Sequence, residues 1–219
     1  MSKRLHTATG VWCKQGLPLR SVLNGWVDVT NELVRKWRSS SNGHGDVPWW
    51  YNERANLSVF AGGVWRSGGR AFEEFSFKKR KIRKTTGHLH GSYPGRVDLY
   101  FETRHGEEFY LESKACDSGA QRPGHDPKPS IEGWLDEACL DVKKFKPYGS
   151  RRLGVVFVKP YIRSRGVDDL EKQMSDWLYQ IDEIDCDAMA WVFPSSFKCG
   201  KSSGWRTPGV VAIIKEFKK

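Results

Sequence analysis

Residues 95–115, GRVDLYFETRHGEEFYLESKA, have the pattern of two antiparallel strands joined by a short turn, and this stretch decides the fold. Gly106 supplies the positive φ that a tight turn needs. A turn at this place puts apolar residues of both strands on the same side of the hairpin, which must be the side that faces the core. The pairs on that side are Val97 with Ser113, Leu99 with Leu111 and Phe101 with Phe109.

The other side of the predicted hairpin gathers charged groups. Asp98 lies opposite Glu112, and Lys114 follows one step beyond. Like charges directly opposite each other destabilise a sheet, and a divalent cation would remove the conflict because Mg²⁺ takes carboxylate oxygens as ligands. An ordinary water-facing side is the alternative, since Glu102 and Glu108 are placed in the same way near the turn.

The composition is that of a globular protein with a sizeable core. The chain has 219 residues, of which 38% are hydrophobic and 13% aromatic. No apolar run approaches the roughly 18 residues of a membrane span, and the N-terminus has no apolar core segment of a secretory signal. The five cysteines are scattered, with no CxxC pair, which predicts reduced thiols and a cytoplasmic protein without a zinc ribbon or a disulfide framework.

The chain carries an excess of positive charge. Its formal net charge is +10, from 36 Lys and Arg against 26 Asp and Glu. Such a balance favours polyanions, because phosphates are attracted and their counterions are released on binding. The densest basic run is FKKRKIRK, residues 77–84, for which a solvated strand or loop is the alternative to a nucleic-acid contact.

Hydrophobic periodicity predicts an α/β protein, a mixed β-sheet flanked by helices. We expect a helical extension over residues 1–47 and one domain over 48–219. The long Gly- and Pro-rich loop at 116–130 suggests a substrate contact or lid. The predicted helices cover 19–37, 52–66, 130–146 and 167–184, and the predicted strands cover 72–82, the hairpin, 153–159 and the two apolar segments AMAWVFP and GVVAIIKEF.

The hairpin residues resemble the motif of the PD-(D/E)xK nuclease superfamily. The matching pieces are Val97-Asp98 and Glu112-Ser113-Lys114, with Val97 in the place of the nominal proline. The core of that family is a helix, a three-stranded meander, a second helix and a further strand, and the elements predicted over 52–159 follow the same order. The resemblance therefore implies a restriction-endonuclease-like fold.

The resemblance also implies an activity, the Mg²⁺-dependent hydrolysis of phosphodiester bonds in DNA by an endodeoxyribonuclease. Asp98 and Glu112, with the backbone carbonyl of Ser113, would hold one or two Mg²⁺ ions, for which Mn²⁺ is a plausible substitute. Lys114 would orient the attacking water or stabilise the phosphorane. The family tends to place a further glutamate on its first helix. Here Glu53, preferred over Glu74, would act in catalysis at the metal site through a bridging water or a second ion.

DNA, with the double-stranded form favoured, is the expected partner, and cutting both strands would suit a homodimer. A non-catalytic nucleic-acid-binding or interaction protein that retains the fold is the alternative. Contacts to the phosphate backbone are expected from basic residues of the run and of the long loop, namely Lys78, Lys79, Arg80, Lys81, Arg83, Lys84, Arg122 and Lys128.

Overall fold

A computed structural model gives the structure of the protein for most of the chain. The predicted DNA contacts Arg83, Lys84 and Arg122 lie outside the described residues. The described residues are 9–40, 47–82, 86, 89–119, 126–145, 149–163, 170–194, 201–202 and 204–218.

The described residues form four α-helices and nine strands. The helices are α1 (Arg20–Ser40), α2 (Glu53–Arg66), α3 (Lys128–Lys143) and α4 (Leu170–Ile181). The strands are β1 (Thr9–Cys13), β2 (Arg70–Ile82), β3 (Leu89–Glu102), β4 (Glu108–Gly119), β5 (Arg151–Arg163), β6 (Ala188–Val192), β7 (Lys201–Ser202), β8 (Trp205–Arg206) and β9 (Val210–Glu216). A short 3-10 turn, Pro48–Trp50, precedes α2.

The strands form one mixed sheet with helices on both faces, which confirms the predicted α/β class. Its continuous path through the described residues runs β1-β6-β9-β5-β4-β3-β2, and the short hairpin β7-β8 attaches to the end of β5. The β4-β5 pair is parallel, and the other pairs along the path are antiparallel. Strand β5 lies at the centre and is buried on both faces, as its continuous apolar run predicted.

Each face of the sheet packs on a different pair of helices. Helices α1 and α2 share a core with Leu99, Leu111 and Phe157, whereas α3 and α4 share a second core with Val156 and Val158. Successive β5 residues therefore face opposite helix layers, as the pleat of a strand requires.

The structure differs from the predicted helical extension over residues 1–47, because this segment contains a strand of the main sheet as well as a helix. Residues Thr9–Cys13 form a strand that pairs with β6 in the main sheet. Helix α1 is packed in the same core, where the Trp26 ring lies 6.4 Å from the ring of Phe157 on the central strand. The described residues on both sides of position 47 thus share one core. A five-residue edge strand carries too little periodicity to be recognised alone.

Two glycines let the backbones of α1 and α2 touch. A Cβ atom on Gly63 would lie 2.5 Å from the backbone nitrogen of Trp26, and one on Gly25 would lie 2.3 Å from the carbonyl oxygen of Gly63. No Cβ fits at such distances, so larger residues would push the helices apart. This close approach fixes α2, whose first residue is Glu53, against α1.

No helix in the described part of the chain combines the length with the apolar composition that a membrane crossing requires. Cys13, Cys116 and Cys139 are free thiols in the structure.

The helix contact yields a test with an adjacent control. We expect Gly63→Ala to destabilise the protein by at least about 2 kcal/mol, because its methyl group meets the α1 backbone. Gly62→Ala should instead be neutral or stabilising by up to about 1 kcal/mol, because its methyl group would meet only Val29 at 3.5 Å while helix propensity improves. Urea unfolding measures both; equal effects of the two substitutions would contradict the contact.

Candidate active site

The candidate site lies where β3 separates from β4. These strands pair only from Leu99 opposite Leu111 to Glu102 opposite Glu108. Beyond Leu99, β3 continues to pair with β2 out to Ile82 opposite Leu89, while β4 continues along β5 to Gly119. We call the separation point between Asp98 and Leu99 the fork, and the outer two-stranded part, residues 75–82 with 89–98, the ribbon.

The alternation of side chains reverses at the fork. Leu99 belongs to the core under α1 and α2, whereas Val97 packs with Tyr110 and Phe145 on the opposite face. Glu74, which lies across from this point on β2, has a φ of +53°. A residue in this left-handed region bends the strand and turns the following side chains over. Side chains of the ribbon therefore lie on the opposite face of the sheet from the one that strict alternation predicts.

This reversal corrects part of the predicted hairpin face. Val97 does not face Ser113, and no Asp98–Glu112 pair is formed in the ladder. The Asp98 carboxylate instead accepts hydrogen bonds from the backbone N–H of Ser113, at 2.8 Å, and from its hydroxyl, at 3.1 Å. The Asp98 side chain thus accepts the hydrogen bond of the Ser113 amide at the point where the β3 backbone has moved away from β4.

Ser113 joins Asp98 to the predicted helix glutamate. The Ser113 hydroxyl lies 2.9 Å from Oε1 of Glu53 as well as 3.1 Å from Asp98. A hydroxyl has one proton, so it donates to one carboxylate and accepts from the other only when that group is protonated. Burial, with the charge of Asp98, raises the pKa of Glu53 against the lowering effects of Ser113 and Lys114, so Glu53 is the group suited to carry that proton.

The start of α2 places Glu53 at the site. The Asn52 side chain accepts from the backbone N–H of Ala55 and caps the helix, so Glu53 falls in the first turn, as predicted. Glu74, the rival for this role, lies on β2 and forms ion pairs with Arg54 at 2.9 Å and Arg96 at 3.4 Å. Glu53, rather than Glu74, therefore contacts the residues of the motif.

Glu112 is a buried carboxylate with an internal partner. Its side chain is 4% exposed, and its Oε1 lies 2.9 Å from the Nζ of Lys79, itself 15% exposed. Burial, followed by the charge of Asp98, raises the pKa of Glu112 to about 7 although Lys79 opposes the shift. Lys79 is one of the residues predicted to contact DNA phosphates, and in the structure its ammonium lies on the Glu112 carboxylate.

Lys114 is held by an acid that the sequence analysis did not single out. Its Nζ lies 2.8 Å from Oδ2 of Asp141 on α3, and Lys144 binds the other oxygen of the same carboxylate. Burial alone would lower the pKa of Lys114, but the bond to Asp141 outweighs it and raises the pKa. Asp141 lies three residues after Ala138 and four before Phe145, so an acid beside the buried stripe of α3 was the available signal.

The donor atoms at the fork suit a divalent cation in their chemistry. The Asp98 carboxylate meets the Ser113 N–H, Glu112 is the preceding residue of β4, and the Ser113 backbone carbonyl offers a further oxygen. Among the described residues, no group of three or more His, Cys, Asp or Glu side chains is gathered closely enough to hold a metal ion. An ion here would therefore use two carboxylates, a backbone carbonyl and water, which fits the tendency of Mg²⁺ to keep several waters.

The described basic residues differ in their surroundings. Lys78 and Lys81 are exposed on the ribbon, and Arg80 is half-buried. Lys128 lies in the first turn of α3, where its Nζ is 3.8 Å from a carboxylate oxygen of Glu183. Lys78 and Lys81 are thus the basic residues of this group best placed to meet a phosphate backbone.

Comparison of the chain with protein-family models, with curated proteins and with solved structures finds no match.

The raised pKa of Glu112 predicts a pH-dependent cost of keeping this group ionised. Between the ordinary value of 4.5 and about 7 the folded state binds a proton that the unfolded state has lost, so stability falls as the pH rises through this window. We expect the stability of Glu112→Gln relative to the wild type to rise between pH 4.5 and pH 8 by up to about 3 kcal/mol without metal, because the variant lacks the group that must lose its proton. Denaturant titration in EDTA at both pH values measures this change; a relative stability that stays constant or falls would contradict the raised pKa.

Proposed function

We propose that this protein is a metal-dependent nuclease with a restriction-endonuclease-like core that hydrolyses phosphodiester bonds of DNA. One observation carries the proposal: the fork brings Glu53 and Asp98 onto Ser113, with Glu112 and Lys114 as the chain neighbours of Ser113. These are the four side chains that the PD-(D/E)xK motif calls for.

The architecture around the fork supports this proposal. Helix α2 is followed by the meander β2-β3-β4, then by α3, and then by β5, which pairs in parallel with β4. This is the order of elements in the core of that superfamily. A meander that opens at one end leaves a cleft in which carboxylates from adjacent strands reach a common substrate.

Each residue of the candidate site would have a separate role in the reaction. Asp98, Glu112 and the Ser113 carbonyl would hold Mg²⁺, or Mn²⁺ in its place, and the bound ion would polarise the phosphate and lower the pKa of a water. Lys114, held by Asp141, would donate a hydrogen bond to that water or to a phosphate oxygen. Glu53 would keep the β4 backbone in position through Ser113.

DNA is the proposed polyanion. The formal net charge of +10 and the exposed Lys78 and Lys81 of the ribbon support a contact with phosphates that does not depend on base sequence. Cutting both strands of a duplex would call for two sites, as in a homodimer with twofold symmetry. Reduced thiols suit a cytoplasmic location.

A second candidate function is nucleic-acid binding without cleavage. It is favoured by the Lys79 ammonium on Glu112, which satisfies this carboxylate without metal, and by the lack of a three-acid cluster among the described residues. The two candidates differ in the fate of the DNA when Mg²⁺ is added.

The discriminating experiment incubates duplex and single-stranded DNA with the protein, with and without Mg²⁺. We expect cleavage only with Mg²⁺, and a loss of at least about 100-fold in Asp98→Asn and in Lys114→Ala, because each removes a group that acts at the reacting phosphate. DNA binding, followed by gel shift in EDTA, should survive in both variants.

Lys14→Ala is the matched control, because Lys14 also pairs with an acid, Asp187 at 3.3 Å, but lies next to β1 at the far edge of the sheet. It should cleave like the wild type. Binding with no Mg²⁺-dependent cut in the wild type would instead establish the binding protein.

A further inference from the structure

The side chain of one ribbon lysine, Lys79, points into the candidate site. The ladder between β2 and β3 shifts its register between Lys79 and Lys81, and the N–H of Arg80 bonds to the carbonyl of Lys144 at 2.8 Å. Lys78 and Lys81 remain exposed, whereas the Lys79 side chain is 15% exposed. The irregularity therefore separates the orientation of Lys79 from that of its basic neighbours.

The position of the Lys79 side chain is defined along its whole length. Its stem crosses Gly95 on β3, where a Cβ atom would lie 2.8 Å from both Cγ and Cδ of the lysine. Its ammonium lies 4.8 Å from the centre of the Phe145 ring and 2.9 Å from Oε1 of Glu112. A glycine below the stem, a ring beside the ammonium and a buried acid at its end form a dedicated place for this cation.

We propose that Lys79 is an internal counter-ion of Glu112 which a divalent cation must displace, and that nucleic acid on the ribbon draws the same ammonium away. Nucleic acid and metal would then bind cooperatively. The proposal rests on the proposed nuclease function and adds to it a coupling between the two ligands.

Electrostatics gives the reason for the exchange. An ammonium at 2.9 Å from Glu112 Oε1 stands where a divalent ion would need that carboxylate, and two cations at one oxygen repel each other. Lys79 has a flexible four-carbon stem and lies between the exposed Lys78 and Lys81, so a phosphate backbone held by these neighbours would offer it a new partner. Because coupling between two ligands is reciprocal, metal would tighten nucleic-acid binding by the same factor.

The counter-ion itself is tested by a double-mutant cycle in EDTA at pH 8, using Lys79→Met, Glu112→Gln and the double variant. We expect the two changes to be coupled by at least about tenfold in the unfolding equilibrium constant, because Lys79→Met alone leaves a buried charge without a partner. If Lys79→Met fails to fold while the double variant folds, that result also supports the pair.

Lys159→Met is the control for this cycle, because Lys159 is likewise 15% exposed and pairs with a different acid, Asp117, at 2.8 Å. Its effect should add to that of Glu112→Gln. Additive effects of Lys79→Met and Glu112→Gln would contradict the proposal that Lys79 is the counter-ion of Glu112.

The cooperativity is tested by measuring Mg²⁺ affinity by calorimetry, with and without a phosphorothioate DNA duplex that resists cleavage. In the wild type we expect the duplex to tighten Mg²⁺ binding by at least about tenfold. Lys78→Met should bind the duplex less tightly but keep this enhancement, whereas Lys79→Met should lose most of it. Any direct ligation of Mg²⁺ by phosphate contributes equally to all three proteins.

Two failures remain distinguishable. Suppose that the protein cleaves DNA and that the duplex tightens Mg²⁺ binding equally in Lys79→Met and Lys78→Met. The proposed exchange would then be wrong, while the proposed nuclease function would stand. A wild type that neither binds nor cleaves DNA would overturn the nuclease and the cooperativity together, and the double-mutant cycle would then still decide whether Lys79 is the counter-ion of Glu112.

Discussion

The separation of β3 from β4 depends on one carboxylate. Opening a sheet exposes backbone groups that must find new partners, and the Asp98 side chain provides one for the Ser113 amide. The same carboxylate also meets the Ser113 hydroxyl, which reaches Glu53 on α2. The hydrogen bonds that the opened sheet requires thus bring acidic groups together where the proposed chemistry needs them.

The acids around Ser113 are balanced in charge by neighbouring lysines. The acids are Glu53, Asp98, Glu112 and Asp141, and each of the three neighbouring lysines has an identifiable acid. Lys79 binds Glu112, while Lys114 and Lys144 share Asp141. This pairing holds the pKa of Asp141 below its usual range against the effect of burial, whereas Glu112 and Glu53 keep raised pKa values. Ammonium groups therefore offset part of the negative charge of these acids.

Sequence patterns predicted the parts of the fold that repeat regularly. The apolar run of β5, the helix starting near Glu53 and the pairing of Leu99 with Leu111 all follow from periodicity and turn chemistry. The reversal at the fork could not be predicted in this way, because it depends on a left-handed conformation at Glu74, a residue type that seldom adopts it. The inward turn of Lys79 has a similar origin in a register shift, and Asp141 becomes a site residue only through tertiary packing.

The pairing of β1 with β6 has a consequence for how the chain acquires its structure. Thr9 lies opposite Val192, so the first described strand cannot find its neighbour until the chain has been synthesised beyond residue 192. Local units such as the β2-β3-β4 meander have no such delay, since their partners follow closely in sequence. During synthesis the apolar side of α1 must therefore wait beside an incomplete sheet, and this interval is when the nascent chain is most exposed to aggregation.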